Sequence, residues 1–227
     1  ASMSAVTEDN EIRAQLRPRL QTILSAPLSA RIVSLEVEEG DYVQKGASIA
    51  KLECAEHRAE MSIGQARQES AQASLDAALR LKALDSGSDL DVALARAELD
   101  AARAEINKYQ AILKKCEINA PFAGKIAACP AMPFQYITEG EPIVELLDTD
   151  DLEVEMIVPS VWLIWLDQGD TFHFRVDASH KVATGNVHSI GAKVDPVSQT
   201  LRVIGRLDSF DIKLLPGLSG SVIFPDH

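Results

Sequence analysis

The residues best suited to chemistry are few and scattered. Cys54-x-x-His57, with Cys116 farther along, offers two thiols and an imidazole, three of the four corners of a structural zinc site. No fourth ligand accompanies them, and the remaining histidines follow no metal-binding spacing. His173 and His188 fall in strand-like runs and read as ordinary solvent-face or barrel residues. The carboxylates of "TDDLEVE" (149–155) alternate as they would on a strand and read as a solvated edge rather than a general acid and base. No Ser-His-Asp spacing, nucleophile elbow, P-loop or dinucleotide fingerprint appears. The four methionines form no soft-metal cluster. These residue types predict no enzyme, no cofactor and no metal, so the function must lie in how the chain is built.

Composition narrows the class. The formal charge of −12 leaves no basic patch to neutralise phosphates, which argues against nucleic acid and against an anionic membrane surface. No run of about 18 apolar residues is present to span a bilayer. The opening "ASMSAVTEDN" lacks the basic and apolar start of a signal peptide, and any native anchor is expected upstream of it. Aromatics make up only 5% of the chain, while alanine is concentrated in its middle third. That balance predicts long helices in close contact rather than one large core.

Texture divides the chain. Residues 20–53 read as strands punctuated by Gly40 and Gly46. From 55 to 84 there is no proline and one glycine, which predicts a helix. "DSGSD" (85–89) then makes a turn, with Ser88 or Asp89 as N-cap, and a second helix is predicted over 90–116. Strand texture returns with "INAPFAGKIAACP". In the second helix Val92, Ala95, Leu99, Ala102, Ile106, Tyr109, Leu113 and Cys116 alternate spacings of three and four, the register of a coiled-coil seam. Mirrored about Asp85, the same register gives Ala78, Leu75, Ala71, Gln68, Gly64, Met61, His57 and Cys54. Large then faces small: Leu99 meets Ala71, Ile106 meets Gly64, Ala95 meets Leu75 and Val92 meets Ala78. The spacing predicts an antiparallel coiled-coil hairpin, with two amphipathic helices packed on a globular core as the alternative. At the end of the register Cys54 stands opposite Cys116, which makes the pair a candidate disulfide at the hairpin base; Cys129 remains a competing partner.

Two halves of one β-domain flank the helices. "SLEVEEGDYVQKGASIAKLE" (34–53) has the strand–turn–strand grammar of half a lipoyl-type domain, and 118–148 repeats it, with a turn at Glu139-Gly140. A lipoyl or biotinyl carrier needs a modifiable lysine in the turn between the halves. Here Cys54 and Ala55 follow Glu53, Lys51 lies in the closing strand, and Lys45 sits in another turn, so a carrier role is disfavoured. From 151 to 224 the sequence reads as about six strands with a short helix, "SVWLIWL", between the first two, which suits a small closed barrel with Trp162 and Trp165 at its mouth.

The order half-lipoyl, hairpin, half-lipoyl, barrel resembles the HlyD-type membrane fusion proteins. The resemblance rests on "VEEGDYVQKGASIAKLE" (37–53), "INAPFAGKI" (118–126), "TEGEPIVEL" (138–146), "VDPVSQTLRV" (194–203) and "LLPGLSGSVIF" (214–224), over nearly the whole chain. It implies an elongated α+β fold. Residues 1–24 would lead into the barrel or a membrane-proximal part, 25–53 with 117–147 would form a split lipoyl-like domain, 54–116 a hairpin with its tip near 85–89, and 148–227 a barrel. It implies a periplasmic adaptor, anchored at the inner membrane by a segment outside this sequence. Its partners would be an inner-membrane transporter of RND, ABC or MFS type and an outer-membrane channel of TolC type, with copies assembling as a trimer or hexamer. A metal-efflux accessory is the other reading. The family's tip motif places a Leu four residues after an Arg and a Ser seven beyond that. Arg80 and Leu84 match, Asp91 stands in the third place, and Ser88 is the nearest hydroxyl. Other departures are Ala30, where the family has a glycine, and the extra prolines of "PAMPFQY" (130–136).

Overall fold

A computed structural model describes residues 11–209 and 214–225. The N-terminal "ASMSAVTEDN", read above for targeting signals, lies outside them. Strands dominate, joined by two long helices, and the chain divides into two compact units. One unit joins the N-terminal segment through Thr22 to the chain from Leu147 onward; the other is Ile23–Leu146.

The first unit is a closed six-stranded barrel. Its strands are β1 (Glu11–Pro18), β10 (Leu152–Pro159), β11 (Thr171–Val176), β12 (Val182–Val194), β13 (Thr200–Ser209) and β14 (Ser219–Ile223). Around the barrel they run β1-β10-β13-β12-β11-β14. The sequence reading has about six strands within 151–224 and has residues 1–24 lead into the barrel or a membrane-proximal part. The structure instead draws the sixth from Glu11–Pro18, which pairs antiparallel with β10 (Leu16 opposite Val154) and with β14 (Ile12 opposite Val222). Without it β10 and β14 would each expose an unpaired edge. Alternation fills the inside: Leu16, Val154, Met156, Phe172, Phe174, Val203 and Val222 are fully buried. "SVWLIWL" supplies the short helix expected between the first two strands of that segment, as a 3₁₀ helix over Ser160–Ile164. It seats Trp162 against Trp165 and Phe224, with ring centroids 5.0 and 5.7 Å apart. The "TDDLEVE" carboxylates are not at an edge, because β10 lies between β1 and β13. Glu155 is held between Arg17 (2.5 Å) and Arg202 (3.1 Å), and Glu153 stands 3.7 Å from Arg206.

The second unit holds two four-stranded sheets, β2-β9-β7-β4 and β6-β5-β3-β8. The strands are β2 (Gln21–Ser25), β3 (Ala30–Leu35), β4 (Tyr42–Val43), β5 (Ser48–Leu52), β6 (Glu117–Asn119), β7 (Gly124–Ala128), β8 (Tyr136–Ile137) and β9 (Pro142–Leu147). Each sheet therefore mixes strands from before and after the helices. The two halves use the same bonds in exchanged roles. Gly40 N–H donates to the Ile126 carbonyl and Phe134 N–H to that of Ile32, both at 2.9 Å. Gly46 N–H donates to Ala120 (2.7 Å) and Gly140 N–H to Ala26 (2.8 Å). Between the sheets lies one apolar core, including Ile32, Ile49, Ile126, Ile137, Ile143 and Leu146. The exchange exposes one irregularity. Gly40, Gly46 and Gly140 adopt positive φ, and Phe134, the counterpart of Gly40, does so as well, at 68°.

Candidate functional site

Helices α1 (Ala55–Ala83) and α2 (Asp89–Lys114) run antiparallel within the second unit. Polar pairs pin the register along their length. Near the base the Tyr109 hydroxyl donates to Glu60 at 3.4 Å, midway Arg67 grips both carboxylate oxygens of Glu105 (2.8 and 3.0 Å), and at the far end Lys82 pairs with Asp89. Every residue of the mirrored sequence register, from Cys54 to Ala78 and from Val92 to Cys116, is buried or half-buried. Ala71, Leu75, Val92 and Leu99 form a small core with Ala78 and Ala95 packed on it. Opposite Ile106, a β-carbon at Gly64 would lie 3.4 Å from Cγ1 of that isoleucine, so the helices touch there with almost no side chain between them.

The tip gathers the residues of the proposed docking motif in different circumstances. Arg80 and Leu84 are exposed, Leu84 at 72%. Leu84 ends α1, its N–H donating to the Arg80 carbonyl at 3.2 Å. Asp85 turns the chain with φ 52°, and Gly87 is needed because a β-carbon there would stand 2.9 Å from the Lys82 nitrogen. Ser88 is the N-cap of α2, and its hydroxyl is committed: it accepts from Asp91 N–H at 3.1 Å and donates to the Asp91 carboxylate at 2.7 Å. The Ser88 hydroxyl, and after it the Ser88 N–H that donates to the same carboxylate at 3.1 Å, hold the Asp91 carboxyl below the usual carboxylate range. Both candidates for the motif's third position are thus spent on the cap. The sequence motif overlooks Leu81 (51% exposed) and Leu90 (66%), which with Leu84 give the tip an apolar surface. The signal for them is that they stand off the seam register in an otherwise polar helix end.

At the other end Cys54 and Cys116 are joined as a disulfide, with Cα atoms 6.3 Å apart. The bond removes both thiols from the zinc corner outlined above, and His57 is left without sulfur partners. Among the described residues no group of three or more His, Cys, Asp or Glu is placed to hold a metal. Cys129 is free and half-buried, and burial pushes its thiol pKa up, assisted by Glu39, Asp41 and Glu38. His173 and His188 lie on β11 and β12 as ordinary strand residues. Lys51 lies on β5, 3.2 Å from Glu36. No described helix is long and apolar enough to cross a membrane.

No family model matches the chain. It is 26% identical to the nodulation protein NolF of Rhizobium meliloti over 95% of its own length and 64% of that protein's. Among solved structures, it aligns with the membrane fusion protein Spr0693 of Streptococcus pneumoniae at a TM-score of 0.80. That match has 15% identity and covers 93% of this chain and 96% of the other. A MacA–MexA chimeric protein containing the Pseudomonas aeruginosa MexA alpha-hairpin domain aligns at 0.82, with 17% identity, over 93% of this chain and 76% of the other.

Proposed function

The chain has the fold of the membrane fusion and periplasmic adaptor proteins, and from that premise we propose that it is an adaptor acting by assembly rather than by chemistry. In this reading the paired sheets are a split lipoyl-like domain and the helices a coiled-coil hairpin. Several copies, three or six, ring together in the periplasm between an inner-membrane transporter of RND, ABC or MFS type and an outer-membrane channel of TolC type. The hairpin tip meets the channel. The observation that carries this reading is the exposure of Leu81, Leu84 and Leu90 around a turn whose own polar groups are satisfied by the Ser88–Asp91 cap. Large apolar side chains left largely exposed around one turn mark a contact surface. Arg80 beside them supplies a charged rim. The carrier alternative finds less support, since Lys51 is fixed on a strand by Glu36 rather than presented in a turn.

The test is a double charge change at the tip. Arg80→Glu with Leu84→Asp should abolish site-directed cross-linking of the tip to the channel and stop export, while far-UV circular dichroism of the purified protein stays unchanged. Unaltered cross-linking and export would remove the tip from the interface.

A further inference from the structure

We propose that the Cys54–Cys116 bond is a thiol-exchange site, attacked at Cys116 by a dithiol reductant, and that its opening loosens the hairpin root. The two sulfurs sit in different surroundings. Both belong to the buried core of the sheets, Cys54 at 1% exposure and Cys116 at 9%, but only Cys116 lines an open cleft of about 300 Å³, with Lys51, Leu52, Arg58, Leu113 and Glu117. Cys54 does not line that cleft, so an incoming sulfur reaches Cys116 first. Arg58 and Glu117 both line the opening and Lys51 is held by Glu36 at 3.2 Å, so Arg58 is the cation that meets an approaching thiolate.

The leaving sulfur is favoured as well. Cys54 is the N-cap of the 29-residue α1, and no side-chain hydrogen bond caps that helix. A thiolate there faces the positive end of the helix dipole, which offsets the cost of burying it in the core. A better-stabilised thiolate leaves faster in exchange. The attacking sulfur of the reductant bonds to Cys116 Sγ, and the Sγ–Sγ electron pair departs on Cys54 as a thiolate. The reductant's second thiol, deprotonated, attacks its own first sulfur and expels Cys116 as a thiolate. The reductant ends as a disulfide, having given two electrons, and its two protons end on Cys54 and Cys116.

The reduced root stays in place by other means. Leu52 N–H donates to the Cys116 carbonyl at 2.8 Å, the backbones of Lys51 and Glu117 stand opposite each other in the β5–β6 ladder, and Arg58 N–H donates to the Cys54 carbonyl at 3.1 Å. What is lost is the covalent link between the start of α1 and the end of α2. The exchange therefore changes the freedom of the two arms without unfolding the sheets.

The experiment uses the full oxidised chain carrying Cys129→Ala, which removes the free thiol. Glutathione, a monothiol, is added under native conditions; the mixture is quenched by alkylation and mapped by mass spectrometry. Glutathione on Cys116 with an alkylated Cys54 is the expected product, formed several-fold more slowly in Arg58→Glu. Adduct on Cys54, or none without denaturant, would overturn the assignment. Full reduction by dithiothreitol should then speed amide exchange in the first turn of α1 and the last turn of α2 but not at the tip. Unchanged exchange at the root would refute the loosening.

Discussion

The hairpin and the barrel reach stability by opposite use of side-chain size. Inside the barrel, Phe172, Phe174, Phe224, Leu16 and Met156 are fully buried, and the strands make room for them with glycines. Gly205 is one such place, where a β-carbon would overlap the Phe172 ring and come 3.2 Å from Met156 Cε. The hairpin has no large interior. Its seam is built from Ala71, Ala78, Ala95 and Gly64 facing Leu, Val and Ile, so its stability spreads thinly along its length. A closed barrel must fill a volume, whereas two helices need only fill a line. Both tryptophans belong to the barrel unit and the helices to the other, so indole fluorescence and the 222 nm circular dichroism signal read the two regions separately.

The largest expected effect is Phe172→Ala. Emptying the centre of the barrel should cost about 3–5 kcal/mol and lower the urea midpoint by fluorescence, with the 222 nm transition unmoved. A shift of both together would mean that the regions unfold as one.

A sharper comparison puts the same substitution in both places. Gly205→Ala should destabilise the barrel by about 1–3 kcal/mol through overpacking. Gly64→Ala should stabilise the hairpin by up to about 1 kcal/mol, because a methyl fits at 3.4 Å from Ile106 and alanine is the better helix former. Gly64→Leu exceeds that space and should reverse the sign. Equal signs for the two alanine variants, by urea titration, would break the contrast.

Phe134 extends the comparison to the paired sheets. Its ring is 75% exposed while its backbone holds the left-handed conformation its counterpart Gly40 adopts. Phe134→Gly should therefore raise stability by about 1 kcal/mol, relief of αL strain outweighing the modest packing of an exposed ring. A fall in the midpoint instead would show that the ring is a structural prop.

The smallest effects lie at the tip. Ser88→Ala should cost about 1 kcal/mol of helix stability, seen as faster amide exchange at the start of α2. The cap also sets a pH dependence. Asp91 is held below its ordinary value in the folded chain, so its contribution is present above the unfolded carboxylate range and is lost as pH falls through the folded value. Acidification should lower the protection of amides at the start of α2, measured against their intrinsic exchange rates at each pH, and Ser88→Ala should flatten that dependence. Equal acid sensitivity in both proteins would assign the effect to other carboxylates.

Periodicity and turn chemistry are local, and what depends on them was legible in the residues themselves. Spacings of three and four predict the face on which Leu99, Ile106 and Ala71 are buried, because side-chain direction on a helix follows from 3.6 residues per turn. Gly46 and Gly140 mark their turns because few other residues tolerate positive φ. Closure was not local. Glu11–Pro18 carries its own alternation at Ile12, Ala14 and Leu16, but only the unpaired edges of β10 and β14, far along the chain, give that strand a place. The carboxylates of β10 look solvated until Arg17 and Arg202 arrive from neighbouring strands. Cys54 and Cys116 likewise have one chemistry as a list of thiols, open to zinc or to a third cysteine. The mirrored register sets these two opposite each other, and folding the hairpin back on itself brings them within bonding distance, which decides the pairing against zinc and against Cys129.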